Sequence, residues 1–142
     1  MAPQPVLVVD DDRYVRDALR ALLETMGFRV TLAVNGADAL ARLRGGTRPC
    51  LVVLDLEMPV LDGWGFRDAL LREPRFARIP VIVISARHDR RPAPPRVVAD
   101  LSKPVDADQL TDVIERHCET SEWQRSGLHP GNGLHRGRQR LA

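Results

Sequence analysis

The stretch Leu51-Val52-Val53-Leu54-Asp55-Leu56-Glu57-Met58-Pro59, closed by Leu61-Asp62-Gly63, decides the fold. An apolar run with β-branching stops abruptly at a carboxylate and is followed by turn residues. A short continuous apolar run bounded by turn signals reads as a strand buried on both faces of a parallel sheet. The first charge after such a strand stands at its carboxyl end. In open α/β sheets that edge is where ligands and chemistry gather. Asp55 is therefore the first candidate functional residue.

Upstream, Val6-Leu7-Val8-Val9 is a second such run, ending in Asp10-Asp11-Asp12. Val15, Leu19, Leu22, Leu23 and Met26 then recur at helical spacing, predicting a helix over 12–26. Asp12 suits its N-cap, and Gly27 its left-handed end. Residues 28–34 read as a strand, Asn35-Gly36 as a turn, and 37–44 as a short helix. The central strand occupies 50–54, followed by a helix over 63–71 and a polar loop over 72–80 with two prolines. Residues 81–84 give another buried strand, ending in Ser85-Ala86. The segment 87–96, RHDRRPAPPR, carries three prolines. An interior proline costs a helix about 3 kcal/mol, so the helix due here is expected to be shortened or missing. Residues 97–101 read as a short strand before Ser102-Lys103-Pro104, and 107–118 as a final amphipathic helix.

This rhythm predicts an α/β, flavodoxin-like (βα)5 three-layer sandwich with parallel strand order 2-1-3-4-5. The domain is expected over 5–118, with 119–142 as a mobile basic tail.

The chain has 142 residues and a formal net charge of +2, which suits one domain and gives no bulk electrostatic case for nucleic-acid binding. No apolar run approaches the roughly 18 residues of a membrane span, and no basic leader precedes the first strand. A soluble, cytoplasmic protein is expected. Cys50 and Cys118 lack metal-ligand spacing and are read as free thiols. His88, His117, His129 and His135 show no metal spacing either, and Trp64 reads as a half-buried packing residue.

All carboxyl ends of a parallel sheet lie on one rim. Asp10-Asp11 follow strand 1, Asp55 strand 3, Ser85 strand 4, and Lys103, the single lysine of the chain, strand 5. With order 2-1-3-4-5 these four strands are adjacent. Carboxylates so close repel unless a cation joins them, and Mg²⁺ suits a site of few protein oxygens. Asp55 can act as a nucleophile toward phosphorus, with Mg²⁺, Lys103 and Ser85 neutralising the transition state.

Val8-Val9-Asp10-Asp11-Asp12, Leu54-Asp55-Leu56-Glu57-Met58-Pro59 with Asp62-Gly63, Ile84-Ser85-Ala86 and Ser102-Lys103-Pro104 resemble the signature blocks of response regulator receiver domains. The resemblance implies that Asp55 accepts a phosphoryl group from a histidine kinase or a histidine phosphotransfer protein. It implies Mg²⁺ on Asp10, Asp11, Asp55 and the Glu57 backbone carbonyl, phosphoryl contacts from Ser85 and Lys103, and a cis Lys103–Pro104 bond. Output would pass by protein–protein contact, since the tail is too short for a DNA-binding effector domain.

The chain departs from the family pattern at Asp100, where an aromatic is usual, and in the proline-rich segment. Both departures fall on one output surface. A further expectation is that Glu57 and Arg87 pair across the mouth of the site. Two other readings stand beside the receiver. One is a small Mg²⁺-dependent phosphatase using Asp55 and Glu57 as an acid pair, resembling haloacid-dehalogenase-like hydrolases. The other is a degenerate receiver that binds partners without phosphorylation.

Overall fold

The structure is a computed structural model, and it describes residues 3–86, 91–120 and 140–141. The element order is β1 (Val6–Val9), α1 (Arg13–Thr25), β2 (Val30–Ala33), α2 (Gly36–Arg44), β3 (Leu51–Asp55) and α3 (Gly63–Arg72). It continues with β4 (Val81–Ser85), β5 (Ala99–Ser102), β6 (Val105–Asp106), α4 (Ala107–Glu115) and β7 (Arg140–Leu141). Strands β2-β1-β3-β4-β5 form a parallel sheet in that order.

Alternation along the strands divides the core in two. Val6, Val8, Leu51, Val53, Ile82 and Ile84 pack with Val15, Leu19 and Leu23 of α1 and with Leu110 and Ile114 of α4. Leu7, Val9, Val52, Leu54, Val81 and Val83 pack with Leu40 and Leu43 of α2 and with Phe66 and Leu70 of α3. The central strands are thus apolar up to their last residues, Asp55 in β3 and Ser85 in β4, because both faces are covered.

The helix starts follow local capping chemistry. Asp12 accepts from the Tyr14 and Val15 amides, Asn35 from Asp38, Asp62 from Gly65, and Asp106 from Asp108 and Gln109. After α1 the chain turns at Gly27 with φ 93°, a conformation that favours glycine.

Among the described residues between β4 and β5 there is no helix. Residues 91–96 instead run along α3. Proline has no N–H, so this segment cannot satisfy its own carbonyls by helical bonding. Arg67 on α3 does so: its Nε donates to Pro95 O at 3.1 Å and its Nη2 to Arg96 O at 2.7 Å. Arg67 is 2% exposed, and burial followed by the charge of Arg96 pushes its pKa below the ordinary value. Pro94 is buried in the same packing.

Two expectations need correction. Cys50 and Cys118 are joined in a disulfide, not free. α4 packs across the face that contains β3, so its last turn arrives beside the residue that precedes β3, with Cα atoms 5.4 Å apart. Sequence spacing carries no information on such a long-range contact. The loop 72–80 is not wholly polar in its packing: Phe76 is fully buried against the α2/α3 core, with the Arg75 guanidinium 4.6 Å from its ring centroid. A lone aromatic among charges gives no periodic signal. Of the tail, Arg140–Leu141 pairs antiparallel with Val105–Asp106, while 121–139 lie outside the described residues.

The disulfide closes a loop with a sequence separation of 68, for which chain entropy gives about 4 kcal/mol of stability. Reduction, or the double change Cys50→Ala and Cys118→Ala, is expected to lower the unfolding free energy by about that amount in urea titration. Equal midpoints for the oxidised and reduced protein would remove the bond as a stabilising element.

Candidate functional site

Strand register assembles the rim. Val9 pairs with Leu54, so the next residues, Asp10 and Asp55, come side by side. Asp55 pairs with Ile84, and Ser85 pairs with Ser102, which places Lys103 at the next step. The Lys103 amide donates to Ser85 O at 2.7 Å, and the Lys103–Pro104 bond is cis.

Alternation then sorts the side chains. Asp10, Asp55 and Lys103 share the strand parity of the α1/α4 face, whereas Ser85 and Asp100 share that of the α2/α3 face. Lys103 Nζ lies 3.0 Å from Asp10 Oδ2 and 3.5 Å from Asp55 Oδ1. One ammonium therefore spans two buried carboxylates. Asp10 is also fixed by the Asp12 amide, which donates to Asp10 Oδ1 at 2.8 Å, and by Arg16, which donates to its backbone carbonyl at 2.8 Å. Asp11 is exposed, yet one oxygen from each of Asp10, Asp11 and Asp55 falls within 4.8 Å of the others.

The backbone after Asp55 is equally constrained. Gly63 N donates to Leu56 O at 2.8 Å, and a Cβ at Gly63 would meet Asp55 O at 2.7 Å and Leu56 Cα at 2.8 Å. Only glycine lets α3 start this close to the carboxylate. Glu57 is exposed two residues beyond Asp55. Arg87, the partner expected for it, lies outside the described residues.

The electrostatics of this cluster are unbalanced. Burial, then the Asp10 charge, push the Asp55 pKa up to about 7 against the pull of Lys103. Burial raises Asp10 as well, opposed by the Asp12 amide and by Lys103. Burial alone would lower Lys103, but Asp10 and Asp55 outweigh it and hold the ammonium above its ordinary value. Three carboxylates against one ammonium leave an excess of negative charge. The all-oxygen donor set, its spacing and that excess fit a hard divalent cation such as Mg²⁺.

Beside Ser85, on the α3 side, lies a small cavity lined by Leu56, Glu57, Trp64, Ser85, Arg91, Ala93 and Asp100. Trp64 is half-buried, with its Nε1 donating to Pro92 O at 2.9 Å and the Arg91 guanidinium 3.9 Å from its ring centroid. Sequence reasoning read Trp64 as a half-buried packing residue and not a ligand, and did not single out Arg91 or Arg67. The available signal was their company: a tryptophan and an arginine three positions apart on α3, facing a segment short of N–H donors.

The response regulator receiver domain model matches residues 6–115. The chain belongs to the response regulator receiver family. It is 38% identical to the response regulator Rre1 of Synechocystis over 79% of this chain, and spans 50% of that protein. It is 32% identical to the protein PilG of Pseudomonas aeruginosa, covering 79% of this chain and 85% of PilG. Among solved structures, a response regulator receiver protein from Pseudomonas putida is similar at 28% identity and a TM-score of 0.71, covering 82% of this chain and 99% of that one. No helix among the described residues of this receiver is long and apolar enough to cross a membrane.

The raised Asp55 pKa fixes the sign of a stability effect. Between its ordinary value of 3.8 and about 7, Asp55 is protonated in the fold and ionised in the unfolded chain. The folded state binds more protons, so the cation-free protein loses stability as pH rises through that window. The loss is on the order of a few kcal/mol. Asp55→Asn is expected to raise the thermal midpoint in EDTA at pH 7.5 and to flatten the fall between pH 4 and 7. A wild-type midpoint that rises across that range would contradict the burial of an uncompensated acid.

Proposed function

We propose that this receiver accepts a phosphoryl group on Asp55. The observation that carries the reading is the shared ammonium: Lys103 Nζ sits between Asp10 and Asp55 at the carboxyl rim, with Asp11 close by. An Asp55 carboxylate oxygen attacks phosphorus, a new P–O bond forms, and the bond to the donor breaks with its electron pair leaving on the donor atom. Lys103 holds positive charge where negative charge gathers on the phosphoryl oxygens, and the Ser85 hydroxyl donates to one of them. The first donor proposed is phosphohistidine on a sensor histidine kinase or a histidine phosphotransfer protein.

Asp10, Asp11, Asp55 and the Glu57 backbone carbonyl would hold Mg²⁺. Bound there, the ion would favour the ionised, nucleophilic form of Asp55 and neutralise charge on the phosphoryl oxygens. Water attack on the aspartyl phosphate reverses the modification, releasing phosphate and restoring the carboxylate. The receiver is thus a phosphoacceptor that at most catalyses its own labelling and release. Its output passes by protein–protein contact.

The test is acetyl phosphate labelling of the intact chain with Mg²⁺, read by mass spectrometry. About one phosphoryl per chain is expected on the wild type and none on Asp55→Asn. Lys103→Met is expected to slow labelling by about a hundredfold, the scale for loss of one charge-stabilising group. Multiple turnover on small phosphomonoesters would favour the phosphatase reading instead. Absence of labelling would favour a receiver that works without phosphorylation.

A further inference from the structure

The Cys50–Cys118 bond lies at the amino end of the sheet, away from the acidic rim, and the phosphoacceptor reading makes no use of it. Cys50 directly precedes β3, whose last residue is Asp55. Cys118 follows α4, and Lys103 stands just before β6, which leads into α4. The bond therefore ties together the far ends of the two units that deliver Asp55 and Lys103. At the near end the same units meet through charge, with Lys103 Nζ 3.5 Å from Asp55 Oδ1. Between the two ties, Leu110 and Ile114 of α4 belong to one core cluster with Leu51 and Val53 of β3. Both sulfurs also have a place as thiols. Cys50 Sγ lies 3.4 Å from Pro5 O and 3.5 Å from Gln4 O, either of which can accept from an S–H. Cys118 is buried in the α1/α4 cluster, where a reduced cysteine packs as a small apolar side chain. The α2/α3 cluster on the other face contains neither cysteine.

From this placement we propose that the Cys50–Cys118 pair is a reversible redox modification site whose closed form preorganises Lys103 at the acidic rim. The inference rests on Asp55 being the phosphoacceptor. Cys50 is half-buried whereas Cys118 is 7% exposed, so an incoming thiolate attacks Cys50 Sγ. A new S–S bond forms to the incoming sulfur, the Cys50–Cys118 bond breaks, and its electron pair leaves on Cys118 Sγ, which takes up a proton. A second thiolate attacks the incoming sulfur and releases Cys50 as a thiolate, which is protonated and turns its S–H to Pro5 O or Gln4 O. The protein gains two electrons and two protons, and the two attacking thiols end as one disulfide. The reverse reaction, with a low-molecular-weight disulfide as oxidant, closes the pair again. With the bond closed, α4 is held at both ends, and Lys103 has less freedom to lose when it meets a phosphoryl group. With the bond open, packing and the ion pairs alone hold α4, and fixing Lys103 costs more conformational entropy. Such coupling is reciprocal: the factor by which the closed bond favours a phosphoryl group is the factor by which that group favours closing the bond.

The test uses the full chain and beryllium fluoride in Mg²⁺ as an equilibrium mimic of the phosphoryl group. Its affinity is measured by calorimetry for the oxidised and the reduced protein, with far-UV circular dichroism to follow the fold. The oxidised chain is expected to bind about fivefold more tightly or better, the lower end of ordinary coupling between sites. In glutathione buffers read by thiol alkylation and mass spectrometry, the mimic is expected to shift the thiol–disulfide equilibrium toward the bond by the same factor. The double change Cys50→Ser and Cys118→Ser is expected to bind as the reduced wild type does, whatever the buffer. Equal affinities in the two redox states, with both folded, would overturn the inference and leave the phosphoacceptor reading standing. Loss of the fold on reduction would also overturn it, because the bond would then be structural alone. No binding of the mimic in either state would remove the acceptor reading and this inference with it.

Discussion

One ammonium between two buried carboxylates is the interaction on which the rest depends. Burying an acid costs several kcal/mol unless a partner compensates it, and Asp10 and Asp55 are both almost inaccessible to water. Lys103 reaches both only because β5 lies beside β4 in the register that pairs Ser85 with Ser102. The parallel sheet, the strand order and the placement of the lysine are thus parts of one electrostatic arrangement. A register slip of one residue would turn Asp10, Asp55 or Lys103 to the opposite face and break it.

The compensation is deliberately partial in its physical effect. Lys103 offsets one negative charge, while the group offers three. The oxygen donors and the charge that is left fit a hard divalent ion. Gly63 contributes in a different way, by letting α3 begin in contact with the Asp55 and Leu56 backbone. The loop that follows Asp55 is therefore held against the start of α3.

Most of this was legible in the sequence because it follows from two periodicities. Apolar runs and helical spacing gave the strand–helix rhythm, which fits the flavodoxin-like strand order, and the residues just after the runs gave Asp10, Asp55, Ser85 and Lys103. What escaped had no periodic signature. The Cys50–Cys118 bond joins positions 68 apart through the packing of α4, which no local pattern records. Phe76 is a single buried ring among arginines. Prolines announced a shortened or missing helix between β4 and β5, but not how residues 91–96 would pack instead. The replacement depends on Arg67 and Trp64 lending donors to carbonyls that proline leaves without local partners. That is a tertiary fact, visible only when α3 and residues 91–96 are seen side by side.

The most direct test of the charge account is a carboxyl carbon NMR titration of Asp55 with and without Mg²⁺. Without the ion, the Asp55 resonance is predicted to titrate near 7, as burial and Asp10 dictate. With Mg²⁺ the titration is predicted to move down toward the ordinary carboxylate range. A midpoint in that ordinary range under both conditions, unaffected by the ion, would contradict the account.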